Sequence, residues 1–312
     1  MSFNVSALTN YVNEQNTDIL VKSLFGSKTA AMLQAAGQVQ VGVKSAEALN
    51  ILSSDVYFQA DGCGYTSSGN TTFTQRTITV GKIKVEEDLC PKTLESKWMQ
   101  TQIAAGSPTA VPFEQAITES KASVIAKQLE VAMWQGDTAT SNTNPNTNKF
   151  DGFNKIIDAA SASTIAGNTT SATAITVSNI DDILDAMYAA VPADIATAED
   201  LVVWVGIDTY KKMLVNLKNA NLFHYVPDAG TAMEMVYPGT NVKVVAVGGL
   251  NGTNRLFAGR LSNFFVGTDL ANEEEEIRYW YSVDNDIVRF RMTCKYGVQV
   301  AFPDQLVQFT LA

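Results

Sequence analysis

The sequence holds a single histidine, His224, among 312 residues. A serine–histidine–acid or cysteine–histidine mechanism has to route its proton through that residue. No G-x-S-x-G nucleophile elbow accompanies it, and its neighbours Phe223 and Tyr225 give it the setting of a packing or surface residue. Cysteine is also scarce. Cys63, Cys90 and Cys294 are far apart and odd in number, which excludes a paired disulfide framework and a zinc site with closely spaced ligands. They read as buried free thiols. No apolar run approaches the roughly 18 residues of a membrane span. Met1-Ser2-Phe3-Asn4 begins no basic-then-apolar leader, so synthesis and use in a cytoplasm are expected, away from membranes. Basic charge is outnumbered, 22 Lys and Arg against 32 Asp and Glu, for a net −10. With no Lys or Arg block, this argues against a basic nucleic-acid-binding surface.

Motifs that carry chemistry are missing as well. Gly248-Gly249 follows a strand but opens no helix, so the phosphate-binding fingerprint is incomplete. Glu273-Glu274-Glu275-Glu276 reads as a solvated acidic run leading into a strand. Asp137, Asn142, Asn144 and Asp151 do not have the spacing of a calcium-binding EF-hand and read as a polar loop. No spacing singles out a carboxylate pair for acid–base work. No catalytic residue, cofactor site or metal site is therefore expected.

The composition is otherwise that of ordinary globular material. At 46% hydrophobic and 17% charged, the chain can bury a sizeable core as one large domain or two linked subdomains. Residues 18–24 read as a short helix, and Ser27 to Gly42 as an Ala-, Gln- and Gly-rich arm that a neighbour must order. Turn residues fill 61–69. Thr71 to Val80 and, after Gly81, Lys82 to Val85 then read as a strand pair with polar residues on both faces and no core of its own. Pro112 opens a helix running to Trp134. Ile117, Val124, Ile125, Leu129, Ala132 and Met133 form its apolar stripe, with Glu119, Lys121, Lys127 and Glu130 away from it. At about 1.5 Å per residue it spans around 35 Å, enough for a spine.

Ser178-Asn179-Ile180-Asp181 reads as a capping box before a helix carrying Ile183, Leu184 and Met187. Leu201 to Val205 is a continuous apolar run, the mark of a buried strand. Asp208 caps a helix with Tyr210, Met213, Leu214 and Leu217, and strands follow at 241–247 and 255–266. This order predicts a compact α/β unit over 178–270. Ile277 to Val283 and Ile287 to Val300 predict a long hairpin. In its second strand Val288, Phe290, Met292, Cys294 and Tyr296 alternate with Arg289, Arg291, Thr293 and Lys295, giving one buried face and one positive row.

That order of elements resembles the Hong Kong 97-type fold of tailed-phage (Caudoviricetes) major capsid proteins. Glu114 through Trp134-Gln135-Gly136-Asp137, with Phe150-Asp151-Gly152-Phe153, is similar to the family's spine helix and following turn. Leu201 to Gly206 with Tyr210 resembles the core of its axial subdomain, and Phe264 through Leu270 to Val298 its return to the peripheral subdomain. The resemblance implies an α+β fold: N-terminal arm 1–60, extended β-hairpin loop (E-loop) 61–90, and peripheral subdomain 91–177 with spine helix 112–135. It further implies an α/β axial subdomain 178–270 and return strands 271–312.

The function implied is a structural one. The subunit would self-assemble into hexamers and pentamers of an icosahedral phage head enclosing double-stranded DNA, without sequence-specific contact to that DNA. It would be located in the virion after assembly in the bacterial cytoplasm. Its partners would be copies of itself, with separate scaffolding, portal and decoration proteins. Arg289, Arg291 and Lys295 are expected to meet acidic residues such as Glu86, Glu87 and Asp88 of a neighbour. Some family members crosslink Lys to Asn, and Lys82 and Lys84 lie in the implied loop, but no motif fixes a partner. Cys63 and Cys90 flank that loop and could approach at its base, free thiols being favoured in a reducing cytoplasm. Three other readings stand beside this one: an encapsulin-like nanocompartment shell, a secreted β-rich surface-binding protein, and an enzyme of unknown chemistry.

Overall fold

The computed structural model describes residues 19–65, 67–90, 113–161, 164–167, 172–220, 233–269, 276–285 and 287–311. Residues 19–25 are helical. Helix α1 (Lys28–Ala35) and strands β1 (Val39–Val41), β2 (Ala46–Asp55), β3 (Asn70–Thr79) and β4 (Gly81–Leu89) follow, then the long helix α2 (Phe113–Gln135) and α3 (Phe153–Ala159). Next come β5 (Ile165–Ala166), α4 (Ile180–Ala189), α5 (Ala193–Ala196), β6 (Leu201–Gly206), α6 (Ile207–Asn219), β7 (Glu234–Val236) and β8 (Lys243–Val247). The chain closes through β9 (Leu256–Arg260), β10 (Phe264–Thr268), β11 (Glu276–Ser282), β12 (Ile287–Val300) and β13 (Val307–Phe309). The fold is α+β.

Two sheets organise these elements. The first runs β1-β10-β12-β11, with β4 also paired to β12; the second runs β5-β13-β9-β6-β8-β7. Strand β6 is buried along its whole length, and its two faces serve two cores. Val202 and Trp204 join the core shared with α2 and the first sheet. Leu201, Val203 and Val205 point into a second core covered by α4 and α6. Burial on both faces is why β6 reads as an unbroken apolar run.

Trp134, at the end of α2, is the joint between the two sheets. Its ring lies 5.1 Å from Phe153, 5.6 Å from Trp204, 5.8 Å from Phe257 and 6.3 Å from Phe264. Aromatic pairs at these separations add to area burial. Gly249 exists for this joint: a Cβ there would sit 2.3 Å from both the Trp134 ring and the Glu130 carbonyl. Gln135 Nε2 donates to the Gly249 carbonyl at 2.6 Å. Gly248-Gly249 thus accommodates α2 and forms no phosphate cradle.

Several expectations are corrected. Residues 19–35 are not a loose arm, because Ile19, Leu20, Leu24, Phe25, Ala30 and Leu33 are buried in the main core. Strand β3 pairs with β2 in a ten-residue ladder, from Ala46 opposite Thr79 to Asp55 opposite Asn70. Strand β4 instead pairs with β12. The hairpin is therefore 46–79, not 61–90. The reason is apolar burial: beside β12, Ile83, Val85 and Leu89 of β4 pack against the main core. Strand β10 belongs to the first sheet, while β13 and β5 join the second, so the compact unit does not end at 270 or begin at 178. On α2, Leu129, Ala132 and Met133 are buried as expected, but Val124 is 55% exposed and Glu130 is buried, the two positions that depart from the expected stripe.

Candidate functional site

Among the described residues, the hairpin β2–β3 stands apart. Its ladder is regular and its cross-strand pairs are polar: Ser54 and Thr71 hydroxyls lie 3.0 Å apart, and Gln75 Nε2 donates to Asn50 Oδ1 at 2.8 Å. Beta-branched Thr71, Thr72, Thr77, Ile78 and Thr79 favour extended backbone. The hairpin's apolar inside lies at the root, where Leu49 and Ile78 close on Val43, with Val80 and Phe265 alongside, and Ile51 is buried just beyond. Towards the tip the apolar groups face outward. Leu52 stands opposite Phe73, and they are 58% and 78% exposed. Val56, Tyr57, Phe58 and Tyr65 of the tip are exposed as well, Phe58 completely. Isolated two-stranded hairpins are marginal in water, and contiguous exposed apolar groups mark an interaction surface.

The charged residues expected at an interface are brought together, but inside one chain. The antiparallel register of β4 and β12 sets Asp88 opposite Arg289, Glu86 opposite Arg291 and Lys82 opposite Lys295. Arg289 Nε lies 3.5 Å from Asp88 and Arg291 Nε 3.7 Å from Glu86. Lys84 contacts Glu86 at 2.9 Å, and this hydrogen bond holds the Glu86 carboxyl below its ordinary pKa. Glu87 points the other way and pairs with Lys121 of α2. Lys295 is buried, its ammonium donating to Asp269 at 2.7 Å. Glu86, Asp88, Arg289 and Arg291 therefore already have ion-pair partners within their own chain, while remaining partly exposed, and Lys295 is buried against Asp269.

Other candidates resolve into structure. Lys155 places its ammonium 2.5 Å from Asp137 and 2.9 Å from Asp151, so a side-chain cation already fills that corner. Asn142 donates to the Asp137 carbonyl, and the Asn142 and Asn144 side chains accept backbone N–H groups in Asx turns. Among the described residues, no group of three or more His, Cys, Asp and Glu is arranged to hold a metal. No helix among them is long and apolar enough to cross a membrane. Of the three cysteines, expected to be buried, Cys63 and Cys90 are exposed and Cys294 is buried. Cys63 lies in the hairpin tip and Cys90 just after β4, at opposite ends of the β3–β4 run rather than at a common base. His224 and Glu273 to Glu275 lie outside the described residues.

One buried group has no signal in the local sequence. Glu130 is buried where α2 meets α1, accepting from Thr29 N–H at 3.2 Å and Thr29 Oγ1 at 2.5 Å. Trp134 Nε1 donates to the same hydroxyl at 3.0 Å. Burial raises the Glu130 pKa, opposed by the Thr29 and Ser27 hydrogen bonds and the Lys28 charge. It anchors the N-terminal helix to the spine.

No protein-family model matches the sequence, and no curated protein matches it. Solved structures do match. A chain of the satellite phage P4 procapsid that includes the size determination (Sid) protein aligns at 13% identity and TM-score 0.61, over 96% of this chain and 99% of that one. A chain of Gordonia phage Cozz aligns at 13% identity and TM-score 0.55, over 90% and 86%. The capsid of Myoviridae phage XM1 aligns at 15% identity and TM-score 0.51, over 90% and 92%. The fold is thus that of tailed-phage capsid chains, the Hong Kong 97-type fold.

Proposed function

We propose that this chain is a structural major capsid protein, a subunit that tiles with copies of itself into a closed shell and carries no catalytic activity. The observation that supports it most is the hairpin 46–79, whose apolar residues face away from their own chain. A protein that functions alone leaves such a surface exposed to aggregation. A subunit that assembles buries it against a neighbour, where apolar burial favours association. The likeness in fold to capsid chains over nearly the whole length points the same way.

In this reading the shell is built of hexamers and pentamers, located in the virion, with double-stranded DNA packaged without sequence-specific contact. Scaffolding, portal and decoration proteins are the further partners it implies. The outward-facing Lys82, Lys84, Arg289 and Arg291 are the charges a neighbouring copy would meet. Neither the nanocompartment, the secreted binder nor the enzyme gains an observation of its own. The test is expression of the full chain alone, followed by sedimentation and negative-stain electron microscopy. Capsomers or closed shells are expected. A monomer that persists across salt, pH and concentration would refute the proposal.

A further inference from the structure

We propose that Gly267 and Gly297 form a seat that sets the direction in which the hairpin leaves the body, and so decides where its apolar tip is presented. The two glycines are direct partners in the β10–β12 ladder. The last residues of the hairpin lie against them. A Cβ on Gly297 would stand 2.2 Å from the Thr79 carbonyl oxygen and 3.0 Å from the Val80 Cα. On Gly267 it would stand 2.8 Å from Ile78 Cδ1 and 3.3 Å from Val80 Cγ1. Neither glycine is among those with positive φ, so the requirement is for close approach rather than for an unusual backbone conformation.

The seat is bolted on its remaining sides. Gln299 Nε2 donates to the Thr77 carbonyl at 2.6 Å. Val80 N–H donates to Ser45 at 2.9 Å, and Val43 N–H to Thr268 at 3.1 Å. Behind the junction, a Cβ on Gly81 would meet the Lys149 carbonyl oxygen at 2.0 Å. The root is therefore held from both faces, and the hairpin is a rigid lever rather than a hinged flap. Strand β3 has ten residues, about 34 Å at roughly 3.4 Å per residue. A small displacement at the root is multiplied along that length. The proposal rests on the shell reading only for its effect on assembly; the seat itself is a property of the single chain.

The test measures the lever directly. One spin label is placed on Cys63 at the tip and one on Lys127→Cys in the spine helix, in a Cys90→Ser background, with distances read by pulsed dipolar spectroscopy on unassembled chain. The parent should give one narrow distance. Gly297→Ala should keep its circular dichroism and cooperative melt but move or broaden that distance by about 3 Å or more, a 1 Å push at the root swung along the strand. An unchanged distance in folded Gly297→Ala overturns the proposal. Should Gly297→Ala fail to fold, Gly267→Ala decides. It should shift the distance, and adding Ile78→Val, which removes the clashing Cδ1, should restore it. A shift that Ile78→Val does not reverse, or no shift, overturns the seat. Assembly is scored separately: Gly297→Ala should lose closed shells that the parent forms. A parent that never assembles refutes the shell reading and leaves the distance result standing.

Discussion

The aromatic joint around Trp134 and the hairpin 46–79 use similar residues to opposite ends. At the joint, Trp134, Phe153, Trp204, Phe257 and Phe264 are all fully buried. On the hairpin, Tyr57, Phe58, Tyr65 and Phe73 are all more than half exposed. The first region is complete within one chain. The second is a regular ladder with a small apolar root and an uncovered tip. Apolar burial is the dominant favourable term in folding and in association alike, so the contrast separates what holds the chain together from what, in the proposed shell, would hold copies to one another.

The comparison breaks most easily at the joint. Trp134→Ala should destabilise the folded chain by about 3–5 kcal/mol, the range for deleting a large buried aromatic. Chemical denaturation measures this, and a loss below about 1 kcal/mol would mean that the two sheets do not depend on the joint. Lys295→Ala comes next. It removes the ammonium that compensates the buried Asp269 carboxylate and should cost about 3 kcal/mol, again by denaturation.

Glu130→Gln tests the anchor of the N-terminal helix. The folded pKa of Glu130 is raised, with burial as the leading cause, so the folded state binds its proton more tightly than the unfolded state does. That contribution is complete below the ordinary carboxylate pKa and is lost as pH rises through the raised value. The wild type should therefore lose stability with rising pH across this window, and Glu130→Gln should flatten that part of the curve. Melting temperature against pH is the readout, and an unchanged slope would contradict the assignment.

Smaller still are the effects on the exposed ladder. Arg289→Glu or Arg291→Glu should lower monomer stability by about 0.2–1 kcal/mol each, as expected for exposed ion pairs, and less at high salt. Smallest of all is the tip. Phe58→Ser with Tyr65→Ser should change monomer stability by less than about 0.5 kcal/mol, yet abolish assembly judged by sedimentation.

The self-sufficient region was the more legible one. The spine helix, β6 and β12 stand within about two residues of their expected limits, because each carries a strong periodicity or a continuous apolar run. The hairpin was legible only in half. Strand β3 is rich in threonine, but β2 reads Ala-Glu-Ala-Leu-Asn-Ile-Leu-Ser-Ser-Asp, which lacks strand composition and becomes a strand through its partner. The capping box at Ser178 does not form as expected: Asn179 takes the N-cap position without a side-chain cap, its amide turned to the Ala174 carbonyl. The charge row on β12 is legible from its alternation, but nothing local in the sequence reveals that β4 lies beside it. Glu130 reads as solvent-facing in the sequence, since a carboxylate joins a core only through distant donors such as Thr29.

The measurement closest to the central claim is hydroxyl-radical footprinting of the tip. Tyr57, Phe58, Tyr65 and Phe73 are compared in dissociated subunits and in assembled particles, with Trp134 as the buried control. All four should be oxidised in the free subunit and protected in the particle, while Trp134 stays protected in both. Equal oxidation of the four in both states would contradict the claim that a second copy completes the hairpin.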